Sequence, residues 1–447
     1  MRLEIGTFPV KELAFGSETR WHDGVLEIDK EALLREVRRD HRIVGADLEL
    51  ARWGESVRIT RPRDVIEPRV KVEGPGVVYP GICGRPVTTV GQGRTHRLAG
   101  VAVVEVADVV MYHHGFDMEV SGYLDTAGPG AEAAAYHGVS FVCLVMDVDR
   151  SLHIEDQNEA LHSAALLVSD RLAETVKGLE PPEREVFELP EVDASLPRVV
   201  FIPCLRSPEH YSGSLNAHWT AIYGLTRQTP PWVIHPNEIL DGAISFCGPN
   251  SIMHNSSWVW VHNPVVRELY RNHGESLSFA GCIPIRTRWS SMPEKELTAL
   301  QAAKTAEMLG AKGAIVTSDS GGNDYMEVIR TVQACEHRGI ETVFMTREEP
   351  VTSGVPILEP AVEADAIIST GIYGLGGPRT EVSSISIPGV ERVIGKPTLV
   401  ADTGAPERWD GAPASVTVSE AIDAKGVIPR LAGADVYGFG RRSGFEY

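Results

Sequence analysis

The residues best equipped for chemistry lie between Ile239 and Asn263. There a single thiol, Cys247, stands beside a Gly248-Pro249 turn between two apolar runs, and His254 and His262 follow among hydroxyl and amide side chains. A turn holds a thiol in a fixed, partly exposed position, and neighbouring imidazoles or backbone donors lower its pKa toward the reactive range. A structural cysteine buried beside a loop fits the same string. His218 upstream and His254 downstream flank the thiol, and imidazole titrates close enough to working pH to move protons.

Two further stretches have the composition of ligand sites. In Gly91-Gln92-Gly93-Arg94-Thr95-His96 the glycines leave backbone amides accessible beside Arg94 and His96, so an anion or a carboxylate is one expectation and a pair of tight β turns the other. Ser318-Asp319-Ser320-Gly321-Gly322-Asn323-Asp324 sits between a strand and a helix, where amides can hold an anionic group while Asp319 or Asn323 orients an amine; a capped helix start explains it equally. It lacks the Walker lysine and the Gly-x-Gly-x-x-Gly spacing, so no nucleotide is expected. His113 and His114 are adjacent, and on a strand they point to opposite faces, which makes them a poor zinc-like pair unless the chain bends at Gly115.

The elements that must carry these residues read as α/β. Up to about Val110, short alternating segments such as Val25–Ile28 and Ser56–Ile59 indicate strands, interrupted by a helix from Lys30 to Arg39 capped by Asp29. Gly128-Pro129-Gly130 reads as a loop, Val139 to Met146 as a buried strand. Leu161, Ala165, Val168, Leu172 and Val176 form the apolar stripe of a long helix that leaves His162 and Asp170 solvated. Residues 1–180 are thus expected to form a β-rich domain with one long helix, 181–197 a proline-bearing acidic linker, and 198–447 an α/β domain. In the last, Val199–Ile202, Leu277–Ile285, Ala314–Thr317, Thr342–Met345 and Ala366–Ser369 alternate with helices, one starting at the capping box Ser291-x-Pro293-Glu294, as in a parallel sheet flanked by helices. Trp258-Val259-Trp260 reads as a strand, either in the core or at an interface.

With 447 residues, two domains are expected. The 42 basic and 61 acidic residues give a formal charge of -19, which disfavours nucleic acid and anionic membranes as partners. No export signal or membrane-length apolar run is visible. Six scattered cysteines without a Cys-x-x-Cys pair point to a reducing cytoplasm.

Several strings together resemble a known family. Met1-Arg2-Leu3-Glu4-Ile5-Gly6, Asp64-Val65-Ile66-Glu67-Pro68-Arg69-Val70-Lys71-Val72, Gly93-Arg94-Thr95-His96 and Gly128-Pro129-Gly130-Ala131 carry the likeness through the first half. His218-x-Thr220-x-x-Tyr223-Gly224, Pro236-x-Glu238-x-x-Asp241-Gly242-Ala243-Ile244 and Asn263-Pro264-Val265 carry it across the centre. The chain is similar to component B of the glycine, sarcosine and betaine reductases, in its proprotein subunit, and to the D-proline reductase proprotein. The resemblance implies reductive cleavage of a carbon–nitrogen bond. It also implies self-cleavage ahead of a central cysteine: the thiol takes the upstream carbonyl, elimination removes the sulfur, and hydrolysis leaves a pyruvoyl cap whose ketone condenses with an amino substrate. A thiol or selenol on a partner subunit then displaces the amine.

Where the family's processing site reads Asn-Cys or Thr-Val-Cys, this chain has Phe246-Cys247-Gly248-Pro249. Cys247 is therefore either the pyruvoyl precursor in a changed context or the thiol of an unprocessed relative. On the first reading the protein is an oligomeric enzyme subunit for a small amino-acid-like substrate, with His218 and His254 moving protons and Arg94 and His96 on the substrate carboxylate. Thr220, Tyr223, Asp319 and Asn323 are the further contacts. A second reading keeps the scaffold but makes it a metal-dependent lyase or hydrolase, using His218, His254, His262 or the His113-His114 pair. A third makes it a non-catalytic substrate-binding subunit.

Overall fold

In the computed structural model the described residues are 1–108, 110–113, 116–119, 122–206, 210–211, 214–215, 220–226, 230–248, 255–288, 290–318, 325–348, 363–372, 386–400, 415–417, 419–423, 430–431 and 445–446. Turn residues cut the first half into short strands: β1 (Arg2–Pro9), β2 (Ile43–Ala51), β3 (Val57–Thr60), β4 (Pro62–Ile66), β5 (Arg69–Glu73), β6 (Gly93–Ala99), β7 (Val101–Ala107), β8 (Ser140–Val148) and β9 (Glu183–Glu188). Eight of them build two four-stranded sheets, ordered β9-β1-β6-β5 and β2-β8-β7-β4, while β3 pairs with Gly122–Asp125 and Arg392–Ile394 in another sheet. β7 and β8 run parallel in the middle of the second sheet and are buried along most of their length, which is why they read as continuous apolar runs.

Three helices accompany these sheets: α1 (Lys30–Val37), α2 (Gly128–Ala133) and α3 (Ile154–Glu174). Asp29 caps α1 by accepting the Ala32 N–H at 2.9 Å. α2 begins at the Gly128-Pro129-Gly130 string, where a loop was expected; proline at the start of a helix gives up only an amide that has no intrahelical partner. Along α3 the stripe Leu161, Ala165, Val168 and Leu172 is fully buried, as its spacing requires. His162 is buried as well, not solvated, because α3 is covered on more than one face and β7 offers the imidazole a carboxylate partner. Within the stretch read as a linker, Glu183–Glu188 pairs antiparallel with β1, Arg2 opposite Glu188 and Thr7 opposite Glu183.

The second half contains β10 (Arg198–Arg206), β11 (Thr220–Ile222), β12 (Ile244–Phe246), β13 (Ser278–Cys282), β14 (Ile285–Thr287), β15 (Gly313–Ser318), β16 (Glu341–Glu348) and β17 (Ala366–Ile372). The order β13-β10-β15-β16-β17 is parallel throughout; β14 also pairs with β10, and Phe445–Glu446 closes the edge antiparallel to β17. Of the helices α4 (Pro236–Leu240), α5 (Ser257–Val261), α6 (Pro264–Asn272), α7 (Met292–Met308) and α8 (Tyr325–Glu336), the last two cover one face of this sheet. Ala299, Ala302 and Ala306 of α7 and Val328 and Val332 of α8 pack on Val200, Ala314 and Phe344. The Glu294 carboxylate accepts the Ser291 N–H at 3.2 Å, half of the capping box read from the sequence. This is the α/β architecture expected: a β-rich front and a parallel sheet flanked by helices behind.

Trp258-Val259-Trp260 lies in α5 and not in a strand. The Ser256 hydroxyl caps that turn by accepting the Val259 N–H at 3.3 Å, and Trp260 is fully buried. One apolar cluster runs from Leu3, Ile5 and Val65 in the first half to Phe201, Ile244 and Trp260 in the second, so the two halves share a core. Among the described residues no helix is long and apolar enough to cross a membrane.

Candidate functional site

Cys247 directly follows β12, which pairs with β11 so that Phe246 faces Thr220. The thiol is half-buried and packs beside Cys83 against the apolar cluster that lines α3. Desolvation pushes its pKa well above the ordinary range, and the charged or titratable groups that bear on it are Cys83, Arg286, Asp64 and Glu105. At rest this sulfur is a neutral thiol.

Beneath Cys247 lies a buried polar network built on β4, the strand whose one edge pairs with β7. The β4–β7 register slips between Val104 and Val106, and this irregularity re-aims consecutive polar side chains into the interior. Arg63 makes a close ion pair with Glu105 of β7 and donates to the side-chain Oδ1 of Asn158 in α3 at 2.8 Å and to the Gly248 backbone carbonyl at 3.5 Å. Glu105 also meets His162 Nδ1 at 3.0 Å, four residues along α3 from Asn158. The guanidinium of Arg63 and the His162 imidazole outweigh burial and hold the Glu105 carboxyl below its ordinary pKa.

Asp64, the next residue, turns toward α5. Its Oδ1 accepts the Val65 N–H at 2.8 Å and the Ser257 N–H at 2.9 Å, and Ser257 Oγ stands 2.6 Å from Oδ2. Burial dominates here and raises the Asp64 carboxyl to about 7. The Ser257 hydroxyl in turn accepts the Phe246 N–H at 3.0 Å and lies 3.5 Å from the Phe246 carbonyl oxygen. The Phe246 carbonyl ahead of Cys247 thus lies within reach of Ser257, and the Gly248 carbonyl one residue beyond it within reach of Arg63. Several buried polar atoms of this region have no protein partner among the described residues: Arg63 Nη1, Asn158 Nδ2, His162 Nε2, Thr220 Oγ1 and Arg286 Nε. Unpaired buried donors and acceptors are costly, and they mark places where a ligand or water binds.

Of the residues singled out in the sequence, the structure brings Thr220 to Phe246, and the Arg286 guanidinium holds the Thr220 carbonyl. Tyr223 adopts a left-handed backbone, φ 51°, and its hydroxyl donates to Glu238. Arg94 pairs with Glu4 at 2.5 Å, and His96 is buried with Nδ1 2.9 Å from the Val176 carbonyl. The glycine-flanked amides beside them do hold a carboxylate, but it belongs to the chain: Asp241 accepts from Gly91 N at 2.8 Å, Thr95 Oγ1 at 2.5 Å and Lys71 Nζ at 2.5 Å. His262 lies 2.9 Å from Glu67 through Nε2, and its Nδ1 accepts from Arg97 at 3.4 Å. Desolvation lowers its pKa to about 4, so this ring is neutral, and both nitrogens have partners within the chain. It rims a groove of about 730 Å³ beside Val265, Leu269, Ile315 and Met345.

His218, His254, Asp319, Asn323 and His114 lie outside the described residues; His113 is described only as a strand position opposite Phe116. Among the described residues no three His, Cys, Asp or Glu side chains are grouped as a metal site. Sequence reasoning assigned no role to Arg63, Glu105, Asn158 or Ser257. The signal was present in Arg61-x-Arg63-Asp64, a strand with charges on successive positions, and in Asn158 and His162 one helical turn apart.

A family model described as glycine/sarcosine/betaine reductase component B subunits matches residues 1–425. Glycine reductase complex component B subunits alpha and beta of Acetoanaerobium sticklandii is 33% identical over 403 residues, covering 88% of this chain and 89% of that protein. The betaine reductase complex component B subunit alpha of Peptoclostridium acidaminophilum is 33% identical over 428 residues, 92% of this chain and 91% of its own length. The sarcosine reductase complex component B subunit alpha of the same organism is 33% identical over 386 residues, with 83% and 86% covered. No solved structure matches the chain.

Proposed function

From the premise that this chain belongs to the glycine/sarcosine/betaine reductase component B family, we propose that it is the substrate-binding subunit of a reductase complex that cleaves a carbon–nitrogen bond, and that Cys247 is the precursor of a pyruvoyl group. The observation that supports this reading is the grip on the Phe246–Cys247 peptide: a hydroxyl within hydrogen-bond reach of its carbonyl oxygen, in a buried network that retains unpaired polar atoms among the described residues. A structural cysteine needs no such arrangement.

A pyruvoyl ketone supplies an electron-poor carbonyl that takes up an amino substrate and makes its α-carbon easier to attack. The chain's own residues do the rest. Arg63, fixed by Glu105, and Arg286, fixed by two backbone carbonyls, carry positive charge at the site. That charge suits a substrate carboxylate, with Arg286 Nε and Arg63 Nη1 still unpaired among the described residues. Thr220 and Asn158 add a hydroxyl and an amide within the same network. The electrons for the cleavage come from a thiol or selenol on a partner subunit.

The test is chemical. Purified protein treated with an aminooxy probe is expected to be labelled on a fragment that starts at residue 247. Borohydride in the presence of radiolabelled glycine or sarcosine should fix counts on the same fragment. No labelling by either route would overturn the reading.

A further inference from the structure

Ser257 and Asp64 meet the backbone where the chain would cut itself, and their hydrogen bonds form a directed set. We propose that Ser257 is the oxyanion donor for self-cleavage between Phe246 and Cys247, and that Asp64 is the positioning residue that turns the Ser257 proton onto the Phe246 carbonyl. This rests on the reading of Cys247 as pyruvoyl precursor and deepens it.

A serine hydroxyl has one hydrogen and two lone pairs. One lone pair of Ser257 takes the Phe246 N–H at 3.0 Å. With Asp64 ionised, the single hydrogen goes to Asp64 Oδ2, 2.6 Å away, which leaves Ser257 no hydrogen to give the Phe246 carbonyl. With Asp64 protonated the direction reverses. Oδ1 already accepts two backbone amides, so the proton resides on Oδ2, where it donates to the second lone pair of Ser257. The hydroxyl hydrogen is then released toward the Phe246 oxygen at 3.5 Å. Burial raises the Asp64 carboxyl to about 7, so the protonated form is populated near neutrality. The titratable groups that bear on it are Glu105 on β7, His162 on α3, Tyr79, Tyr136 and Cys247.

The step served is an N-to-S acyl shift. Cys247 Sγ adds to the Phe246 carbonyl carbon and the oxygen takes the electron pair, stabilised by Ser257. As the carbon–nitrogen bond breaks, the thiol proton ends on the Cys247 nitrogen. The product is a thioester between Phe246 and Cys247 Sγ with a free amino group, and nothing is oxidised or reduced. Arg63 on the Gly248 carbonyl and Thr220 opposite Phe246 keep both flanks of the bond in place while it turns over.

The experiment follows newly made full-length chains from cell-free synthesis by intact mass, with and without hydroxylamine, which intercepts the thioester as a Phe246 hydroxamate. Loss of one oxyanion donor lowers a rate by about 10²–10³. Ser257→Ala is expected to slow both spontaneous and hydroxylamine-dependent cleavage by that factor, and Ser257→Thr to stay within about tenfold of wild type. Asp64→Asn presents an N–H donor to Ser257 and is expected to cleave. The wild-type rate divided by the Asp64→Asn rate should fall about tenfold per pH unit above about 7. That ratio reports proton direction alone, and it decides the matter if Ser257→Ala fails to fold. Cleavage of Ser257→Ala at the wild-type rate, or a flat ratio, overturns the roles of Ser257 and Asp64 while leaving the pyruvoyl reading standing. A wild-type chain that never cleaves overturns both.

Discussion

Replacing Asp64 by Asn should make this protein relatively more stable as pH rises, and the size of the effect follows from where the carboxyl sits. Asp64 is fully buried, with its pKa raised from 3.8 to about 7, chiefly by desolvation. In the unfolded chain the group ionises near its ordinary value, so between the two pKa values the native state binds more protons. Its stabilising contribution is therefore complete below the unfolded pKa and is lost as pH climbs through the folded one. A rise from 3.8 to about 7, at about 1.36 kcal/mol for each pH unit, puts the whole swing at about 4 kcal/mol, of which roughly 3 falls between about pH 5 and about pH 8. Asn cannot ionise and escapes that loss. The comparison is made in a Cys247→Ala background so that both chains are uncut, with urea unfolding followed by tryptophan fluorescence at the two pH values. The other titrating groups are common to both proteins and largely cancel. A stability gap that is the same at both pH values, within about 1 kcal/mol, would refute the reasoning that Asp64 is held protonated by burial.

Glu105→Ala strands the Arg63 guanidinium in the interior and removes the His162 partner, so it should cost about 3–5 kcal/mol in the same urea assay. Gly81→Ala should destabilise by more than about 1 kcal/mol, because Gly81 has φ 77° and a Cβ there would press on the Tyr223 carbonyl of the neighbouring turn. Trp260→Ala, which empties a fully buried position in the cluster joining the two halves, should cost about 3–5 kcal/mol and is measured the same way.

The local parts of this fold were legible in the sequence because their causes are local. The α3 stripe, the Asp29 cap, the Ser291 capping box and the buried run of β8 each depend on residues within a few positions of one another. The alternation of strands and helices after Leu277 likewise announces a parallel sheet, although the single strand expected from Leu277 to Ile285 divides into β13 and β14. What failed was non-local. Glu183–Glu188 is polar enough to pass for a linker, and only its pairing with β1 makes it a strand. Trp258-Val259-Trp260 alternates with period two over too few residues to betray a helical turn, and the feature that decides for the helix is the Ser256 cap just ahead of it. His162 lies off the apolar stripe, and nothing near it in sequence says that Glu105 waits 57 positions upstream.

The same distinction separates the two parts of the candidate site. Cys247 stands out by residue type and by its turn. Asp64 and Ser257, 193 positions apart, become a pair only when β4 is placed against α5. Asp241 offers the converse lesson. The glycine-flanked amides around Arg94 had the look of a carboxylate site, and they bind one, from the chain's own α4 terminus.

The most direct measurement is the intact mass of the purified wild-type protein under denaturing conditions. The expected result is two fragments, residues 1–246 and residues 247–447, the second lighter than its amino-acid composition by the change from a cysteine to a ketone terminus. A single species at the 48.6 kDa of the uncut 447-residue chain would contradict the proposed chemistry of Cys247.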